Sequence, residues 1–360
     1  MSNIARVEEI VRQVLAMAER ERKLTGFCIG NTSKVDSSGL FFTPIRNTAE
    51  LIAGSVIVYE AHQAAEIAAL VDGRVQYLFV DSEKKTGPDP EFYGPGDKGN
   101  IERAIRDVVR TSTILTYKGN DLTVDSIDCL LVQLVDDPIR GIGGKKVVII
   151  GAGNLGSKLA LKLVERGATV VLTRRNKEKL DAIVTALNFI KPVQTVATVT
   201  GTTDSEAAAG GADVLIGMAS GVPVITRTMI EGLSSNAVVI DAGKGCLFPD
   251  AIQRASERNL KLFRVDVRSG FAGQVAMLLQ MARQLGDTIG RRDVNGVHIV
   301  SGGLFAWEHE IVVDNVNNPR AVYGVADGRG DFIRALSSAQ AASVKAVSDY
   351  IAATAAQDSQ

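Results

Sequence analysis

The pattern of apolar and polar positions changes character near the middle of the chain. Residues 2–22 mix charged and apolar positions at helical spacing and predict one amphipathic helix. TGFCIG (25–30) predicts a short strand, NTSKVDSSG (31–39) a polar loop, and RVQYLFVD (74–81) a strand that ends in an acid. Residues 47–73 predict mostly helix, with room for a strand at VIVY. KKTGPDPEFYGPGDKGN (84–100) holds three of the nine prolines and four glycines, which excludes a helix interior or a central strand. A long loop at the carboxyl end of a strand is a common place for a site. Residues 101–110 predict a helix, 111–117 an extended segment, and 122–137 a further helix with a polar start.

PIRGIGGKK (138–146) places one proline and three glycines between ordered segments and marks a hinge. After it the pattern repeats. KKVVII, ATVVLT, VQTVATVT (193–200), ADVLIG (212–217), NAVVIDAG (236–243) and LKLFRVDV (260–267) predict strands, with helical segments between them. Such alternation predicts a parallel sheet covered on both faces. GFAGQVAMLLQMARQLGD (270–287) predicts a helix leaving this unit. Three short extended segments follow within 290–330, and a last helix closes the chain. The expected division is 1–138, 139–270 and 271–360.

Composition narrows the class. The 360 residues are 46% hydrophobic, enough for more than one core. A formal net charge of -1 gives no reason to expect nucleic acid or an anionic membrane as partner. Cys28, Cys129 and Cys246 are widely spaced and odd in number, so they predict reduced thiols and a cytoplasmic setting. The N-terminal segment lacks the apolar core of a signal peptide. No window approaches the roughly 18 apolar residues of a membrane span.

The chemistry is concentrated at the start of the repeating region. KKVVIIGAGNLG places Gly151, Gly153 and Gly156 after a strand and at the start of a helix. This is the context in which GxGxxG binds a dinucleotide: a tight turn, close backbone approach to the pyrophosphate, and close helix packing. The backbone N–H groups around Asn154 and Leu155, at the positive end of the helix, would face the phosphates. The parallel sheet is therefore expected to be a Rossmann-type, doubly wound one. The next strand ends Leu172-Thr173-Arg174-Arg175 where an NAD site usually carries a carboxylate. A guanidinium grips a 2′-phosphate that a carboxylate would repel, so NADP is the expected cofactor, with Thr173 adding a hydroxyl. The alternative is a solvated basic turn whose arginines pair with Glu178. Met218, Ala219 and Ser220, small or flexible residues after a later strand, would admit the ribose and nicotinamide. Lys244, after the strand ending in Asp241, would meet substrate or water.

Carbonyl chemistry also needs a proton carrier. Lys84 and Lys85 follow a strand into the irregular loop, and Asp125 lies near the start of a helix. An ammonium can polarise a carbonyl, and a carboxylate can orient it. The bland reading is a surface lysine pair and an N-terminal helix acid. His62, His298 and His309 form no metal-ligand pattern, and no metal is expected.

At these residues the chain resembles the shikimate dehydrogenase-like superfamily and related amino-acid-dehydrogenase-like folds, over roughly 25–290. IIGAGNLG and VVLTRRNKEK carry the resemblance most strongly, with Thr173-Arg174-Arg175 as a variant of the family's Asn-Arg-Thr turn. The resemblance implies an α/β fold: an N-terminal α/β catalytic domain beside the Rossmann domain, with C-terminal elements returning to the first domain. It places Asp125 at the catalytic aspartate, Lys84 or Lys85 at the catalytic lysine, and Thr123 where the family has a substrate-binding asparagine. Gln274 falls in the late substrate-contacting segment, and Ser33, with Ser37 and Ser38, near the early serine motif. The activity implied is an NADP-dependent dehydrogenase acting on a small polar alcohol or carbonyl compound. Alternatives are a methylene-tetrahydropterin dehydrogenase and a nucleotide-sensing regulatory protein. The C-terminal region leaves room for a homodimer.

Overall fold

A computed structural model describes residues 2–32, 40–83, 85, 101–135, 137–219 and 221–357. The chain forms two compact units, Met1–Gln274 and Val275–Gln360. It is an α/β protein, and the first unit holds two sheets.

The first sheet is built after helix α1 (Asn3–Glu21) from β1 (Leu24–Asn31), β2 (Phe41–Asn47), β3 (Leu51–Val58), β4 (Tyr77–Asp81) and β5 (Thr113–Tyr117). Helices α2 (Ala61–Val71) and α3 (Ile101–Val108) flank β4 in sequence. The spatial order is β2-β3-β1-β4-β5, and only β2 runs antiparallel to its neighbour. Alternate residues of the central strands, Phe27 and Ile29, Val56 and Val58, Leu78 and Val80, form a core with Val7 and Val11 of α1 and Ile67 of α2. Here the structure differs from the expectation of helix over most of 47–73, since Leu51–Val58 is a strand beside β1. A strand buried on both faces reads as a continuous apolar run, which periodicity alone does not separate from helix.

Helix α4 (Gly119–Leu134) leads from the first sheet to the second. The second sheet follows in strict alternation: β6 (Lys146–Ile150), α5 (Asn154–Glu165), β7 (Thr169–Thr173), α6 (Lys177–Ile190), β8 (Val199–Thr202), α7 (Ser205–Ala209) and β9 (Val214–Gly217). It continues through α8 (Arg227–Gly232), β10 (Val238–Asp241), α9 (Pro249–Glu257) and β11 (Lys261–Arg264). All six strands are parallel, in the order β11-β10-β9-β6-β7-β8. This is the doubly wound order, with its reversal between β6 and β9. Val147 and Ile149 pack on one face, and Val148 and Ile150 on the other. Residues 193–198, expected as strand, lie outside β8, with Val193 and Val196 exposed.

Helix α10 (Arg268–Arg283) begins in the first unit. Its Gly270 N–H donates to Ser126 Oγ of α4 at 3.0 Å, and Phe271 meets Phe79 of β4 edge-on at 5.9 Å. The helix after the second sheet thus returns to the first. The second unit contains a short π-helical stretch (Gln284–Thr288), then β12 (Arg291–Val294), β13 (Val297–Ser301), β14 (Ile311–Val313), β15 (Val322–Val325) and α11 (Ser338–Gln357). Its strands pair in sequence order around a core of Ile299, Ile311, Val313, Val325 and Val347. The three extended segments expected there are joined by a fourth, β12. No helix among the described residues is long and apolar enough to cross a membrane.

Candidate functional site

Carboxyl ends of parallel strands gather backbone turns and helix starts, and both sheets of the first unit use them. In the second sheet, Gly151 has φ +119°, and the N–H groups of Gly151 and Ala152 both donate to the Thr173 carbonyl at 3.1 Å. A Cβ on Gly156 would sit 2.1 Å from the Gly151 carbonyl oxygen, so only glycine lets α5 approach this closely. A Cβ on Gly153 would point into open space with nothing within 4 Å. That space lies at the N-terminus of α5, whose first N–H groups lack intrahelical acceptors. The open turn and the helix N-terminus together leave room for an anionic group beside backbone N–H donors.

The two arginines after β7 have different surroundings. Arg174 is half-buried, and its guanidinium donates to the Ala152 carbonyl inside the glycine turn. Arg175 is exposed. Neither forms an ion pair among the described residues, so the expected alternative of pairing with Glu178 does not occur. Asn176 caps α6 by accepting from Lys179 N–H at 2.8 Å. Thr173 is buried, and its hydroxyl accepts from Ser205 Oγ at 3.0 Å. Asn154 accepts from Asn120 Nδ2 at 3.1 Å, and Leu155 is half-buried. Met218 N–H donates to the Ile150 carbonyl at 2.8 Å, and the Ala219 carbonyl accepts from Cys246 Sγ at 2.9 Å. Burial, and then the nearby Asp241, push the Cys246 thiol above its ordinary value. Ser220 lies outside the described residues.

Asp241 is buried and accepts from the N–H groups of Gly245 at 2.8 Å and Cys246 at 3.2 Å, shaping the turn that carries Lys244. Lys244 sits at φ +58°, and its ammonium lies 5.6 Å from the Phe41 ring centroid. Phe41 starts β2, so the β10 turn of one sheet reaches the carboxyl edge of the other.

On that edge lies a polar cluster. Lys85 Nζ contacts Asp81 Oδ2 at 2.9 Å and Glu83 Oε2 at 2.7 Å. Asp81 is buried, and its other oxygen accepts from Glu83 N–H at 3.0 Å and Gly119 N–H at 3.2 Å. Lys158, on α5 of the second sheet, contacts Asp121 at 2.5 Å and Glu83 at 3.6 Å. Burial alone would lower the Lys158 ammonium, but the Asp121 hydrogen bond and the charges of Asp121 and Glu83 hold it above the ordinary lysine value. Tyr117 is buried beside this cluster; burial first, and then Cys28 and Asp81, push its phenol well above the usual range.

Lys85 and Asp125 are not brought together. The carboxylates on Lys85 belong to Asp81 and Glu83, whereas Asp125 pairs with Lys162 at 2.8 Å. Asp125 is the middle rung of a ladder between α4 and α5: Asp121 with Lys158, Asp125 with Lys162, and Asp128 with Arg166 at 2.7 Å. The spacings place each set on one helix face. Thr123 donates back to the Gly119 carbonyl at 3.4 Å. Gln274 is half-buried on α10. Lys84 and Ser33, with Ser37 and Ser38, lie outside the described residues. His62 pairs with Glu60 at 3.4 Å, His298 with Asp293 at 3.6 Å, and His309 Nδ1 lies 3.1 Å from the Gln340 amide. No cluster of potential metal ligands occurs among the described residues.

The second sheet is also the part of the chain that a family model matches. Residues 146–245 match the family model described as NADP oxidoreductase, coenzyme F420-dependent. A 118-residue stretch is 31% identical to glycerol-3-phosphate dehydrogenase [NAD(P)+] of Shouchella clausii (strain KSM-K16). That match covers 31% of this chain and only 34% of the curated relative's length. A dipicolinate synthase chain from Bacillus halodurans is similar at 17% identity, TM-score 0.39, covering 72% of this chain and 78% of that one. Ornithine carbamoyltransferase from Pyrococcus furiosus is similar at 11% identity, TM-score 0.40, covering 76% and 93%. Residues 146–245 are a nucleotide-cofactor-binding fold of the oxidoreductase type.

Proposed function

We propose that the chain is an NADP-dependent dehydrogenase that moves a hydride between nicotinamide and a small polar alcohol or carbonyl compound. One observation carries this reading: two arginines without carboxylate partners among the described residues stand beside the open glycine turn, where an NAD site would place an acid. Gly151, Gly153, Gly156 and the start of α5 would hold the pyrophosphate. Arg175, exposed and without an ion-pair partner among the described residues, would take the 2′-phosphate. Arg174 would brace the turn and offer its remaining guanidinium face to adenine. Met218 and Ala219 would line the path to the first sheet.

A bound nicotinamide would supply the hydride or accept it. The proton is the task of this chain, and Lys85 would carry it. Two carboxylates engage its ammonium, which has three N–H bonds, so one remains for a substrate oxygen. In the reducing direction Lys85 polarises the carbonyl and gives its oxygen a proton as the carbon gains hydride. The neutral amine then recovers a proton from solvent. Asp81 and Glu83 orient the amine.

Titration with both cofactors tests the reading. Arg175→Ala is expected to raise the NADPH dissociation constant at least about tenfold, or roughly 1.4 kcal/mol, with much less effect on NADH. Equal losses for the two cofactors would defeat the phosphate assignment.

A further inference from the structure

Asn31 ends β1, the central strand of the first sheet, and is 6% exposed. Its Nδ2 donates to the Glu83 backbone carbonyl at 2.6 Å. A carbonyl only accepts, so this bond fixes which way the amide faces. The other end, Oδ1, is buried and receives no hydrogen bond among the described residues. An acceptor left in that state is unfavourable, so an occupant that donates to it is favoured. Glu83 links this acceptor to the proposed proton carrier: its carbonyl holds Asn31 and its carboxylate holds Lys85. Both groups thus stand at the carboxyl ends of the paired strands β1 and β4.

The charge around this point restricts the occupant further. Asp81, Glu83 and Asp121 present three carboxylates to the two ammonium groups of Lys85 and Lys158. Both cations are engaged by these carboxylates, and the five side chains by themselves carry one negative charge in excess. A substrate carboxylate or phosphate placed here would meet that charge and find only an acceptor at Asn31. A neutral hydroxyl donates to Oδ1 without such repulsion.

We propose that Asn31 is a specificity-determining residue that reads an uncharged hydrogen-bond donor, a hydroxyl next to the reacting carbon, and that this subsite discriminates against carboxylates. The inference rests on the dehydrogenase reading above. Three probes share the reacting group CH3–CH(OH)– and differ only at the neighbouring position: 1,2-propanediol, lactate and 2-propanol. Oxidation of the diol removes one hydride to NADP+ and one proton, leaving hydroxyacetone, NADPH and H+.

The full-length protein is assayed with NADP+ and each probe, and its NADPH affinity is titrated separately. The diol is expected to exceed both other probes in kcat/KM by at least about tenfold, because a site built to bond a hydroxyl rejects analogues that lack it. Asn31→Leu, similar in volume but without the acceptor, should bring the ratio of diol to 2-propanol below about threefold, leaving NADPH affinity intact. Preference for lactate, no turnover of the diol, or an unchanged ratio in Asn31→Leu would each overturn the proposal. The wild-type selectivity needs no variant, so the test stands even if Asn31→Leu does not fold. Failure to bind NADPH would instead remove the dehydrogenase reading itself, and this inference with it.

Discussion

Lys85 is held just past the end of β4, where Asp81 closes the strand and its carboxylate, with that of Glu83, engages the ammonium. The acids at 81 and 83 and the lysine at 85 are visible in the sequence, but their contact is not. Gly119 completes the arrangement: a Cβ there would lie 2.7 Å from Asp81 Oδ2 and 3.1 Å from Lys85 Nζ. Lys85→Met is therefore expected to lower kcat by about 10²–10⁴ with NADPH affinity retained, the usual range for a lost acid–base group. Gly119→Ala should also lower kcat, by displacing the ion pair. Asp125→Asn should leave kcat within about threefold. Steady-state rates for the three variants separate the roles, and a larger loss in Asp125→Asn than in Lys85→Met would return the proton chemistry to α4. The glycines of the cofactor turn were legible because their spacing is itself the geometric requirement. The partners of Lys85 were less so, because a contact between side chains depends on how a strand end meets a helix start.

At the scale of elements, the alternating second sheet is legible almost strand by strand, and two further features leave a signature in the sequence. Val294-Asn295-Gly296-Val297 is a two-residue hairpin with φ +54° and +80° at its centre, the conformation that Asn-Gly favours, and it adds β12 to the second unit. The ladder of Asp121, Asp125 and Asp128 facing Lys158, Lys162 and Arg166 is visible as two helical spacings, but its pairing needs α4 and α5 to be neighbours. The ladder's half-exposed central rung contributes under ~1 kcal/mol, so its loss is a small stability effect. Asp72 is different. Its carboxylate accepts from the N–H groups of Arg110 at 2.7 Å, Thr111 at 3.0 Å and Ser112 at 2.7 Å, tying the end of α2 to the turn before β5. Burial opposes the charge, but these backbone donors outweigh it and lower the carboxyl below its ordinary 3.8. Its contribution is therefore present above the unfolded value and lost as pH falls through the lower folded value. Asp72→Asn should cost about 1 kcal/mol at pH 7, discounted for partial exposure, and progressively less below pH 3.8. Urea unfolding at several pH values measures this; a deficit that stays constant into acid would show that the charge is irrelevant.

Within the first unit, the two sheets turn their carboxyl edges toward common ground, and few polar side chains join them. Asn120 bonds Asn154, Lys244 lies over Phe41, and Lys158 spans from α5 to Glu83 and Asp121. Sequence alone located each edge, from the glycine turn and from the acid closing RVQYLFVD. It could not show that the edges meet, because that depends on how α4 and the start of α10 pack. Lys158 is the informative strap. It is anchored on the cofactor helix, but both its carboxylate partners belong to the other side, and Glu83 is shared with Lys85. Removing it should loosen the placement of Lys85 against the cofactor without altering the glycine turn or the arginines. Lys158→Met is accordingly expected to lower kcat/KM about tenfold while changing the NADPH dissociation constant less than about threefold; a tenfold loss corresponds to roughly 1.4 kcal/mol of transition-state stabilisation. Parallel rate measurements and fluorescence titration decide the matter. A dissociation constant that rises as much as kcat/KM falls would make Lys158 a phosphate ligand rather than a link between the sheets.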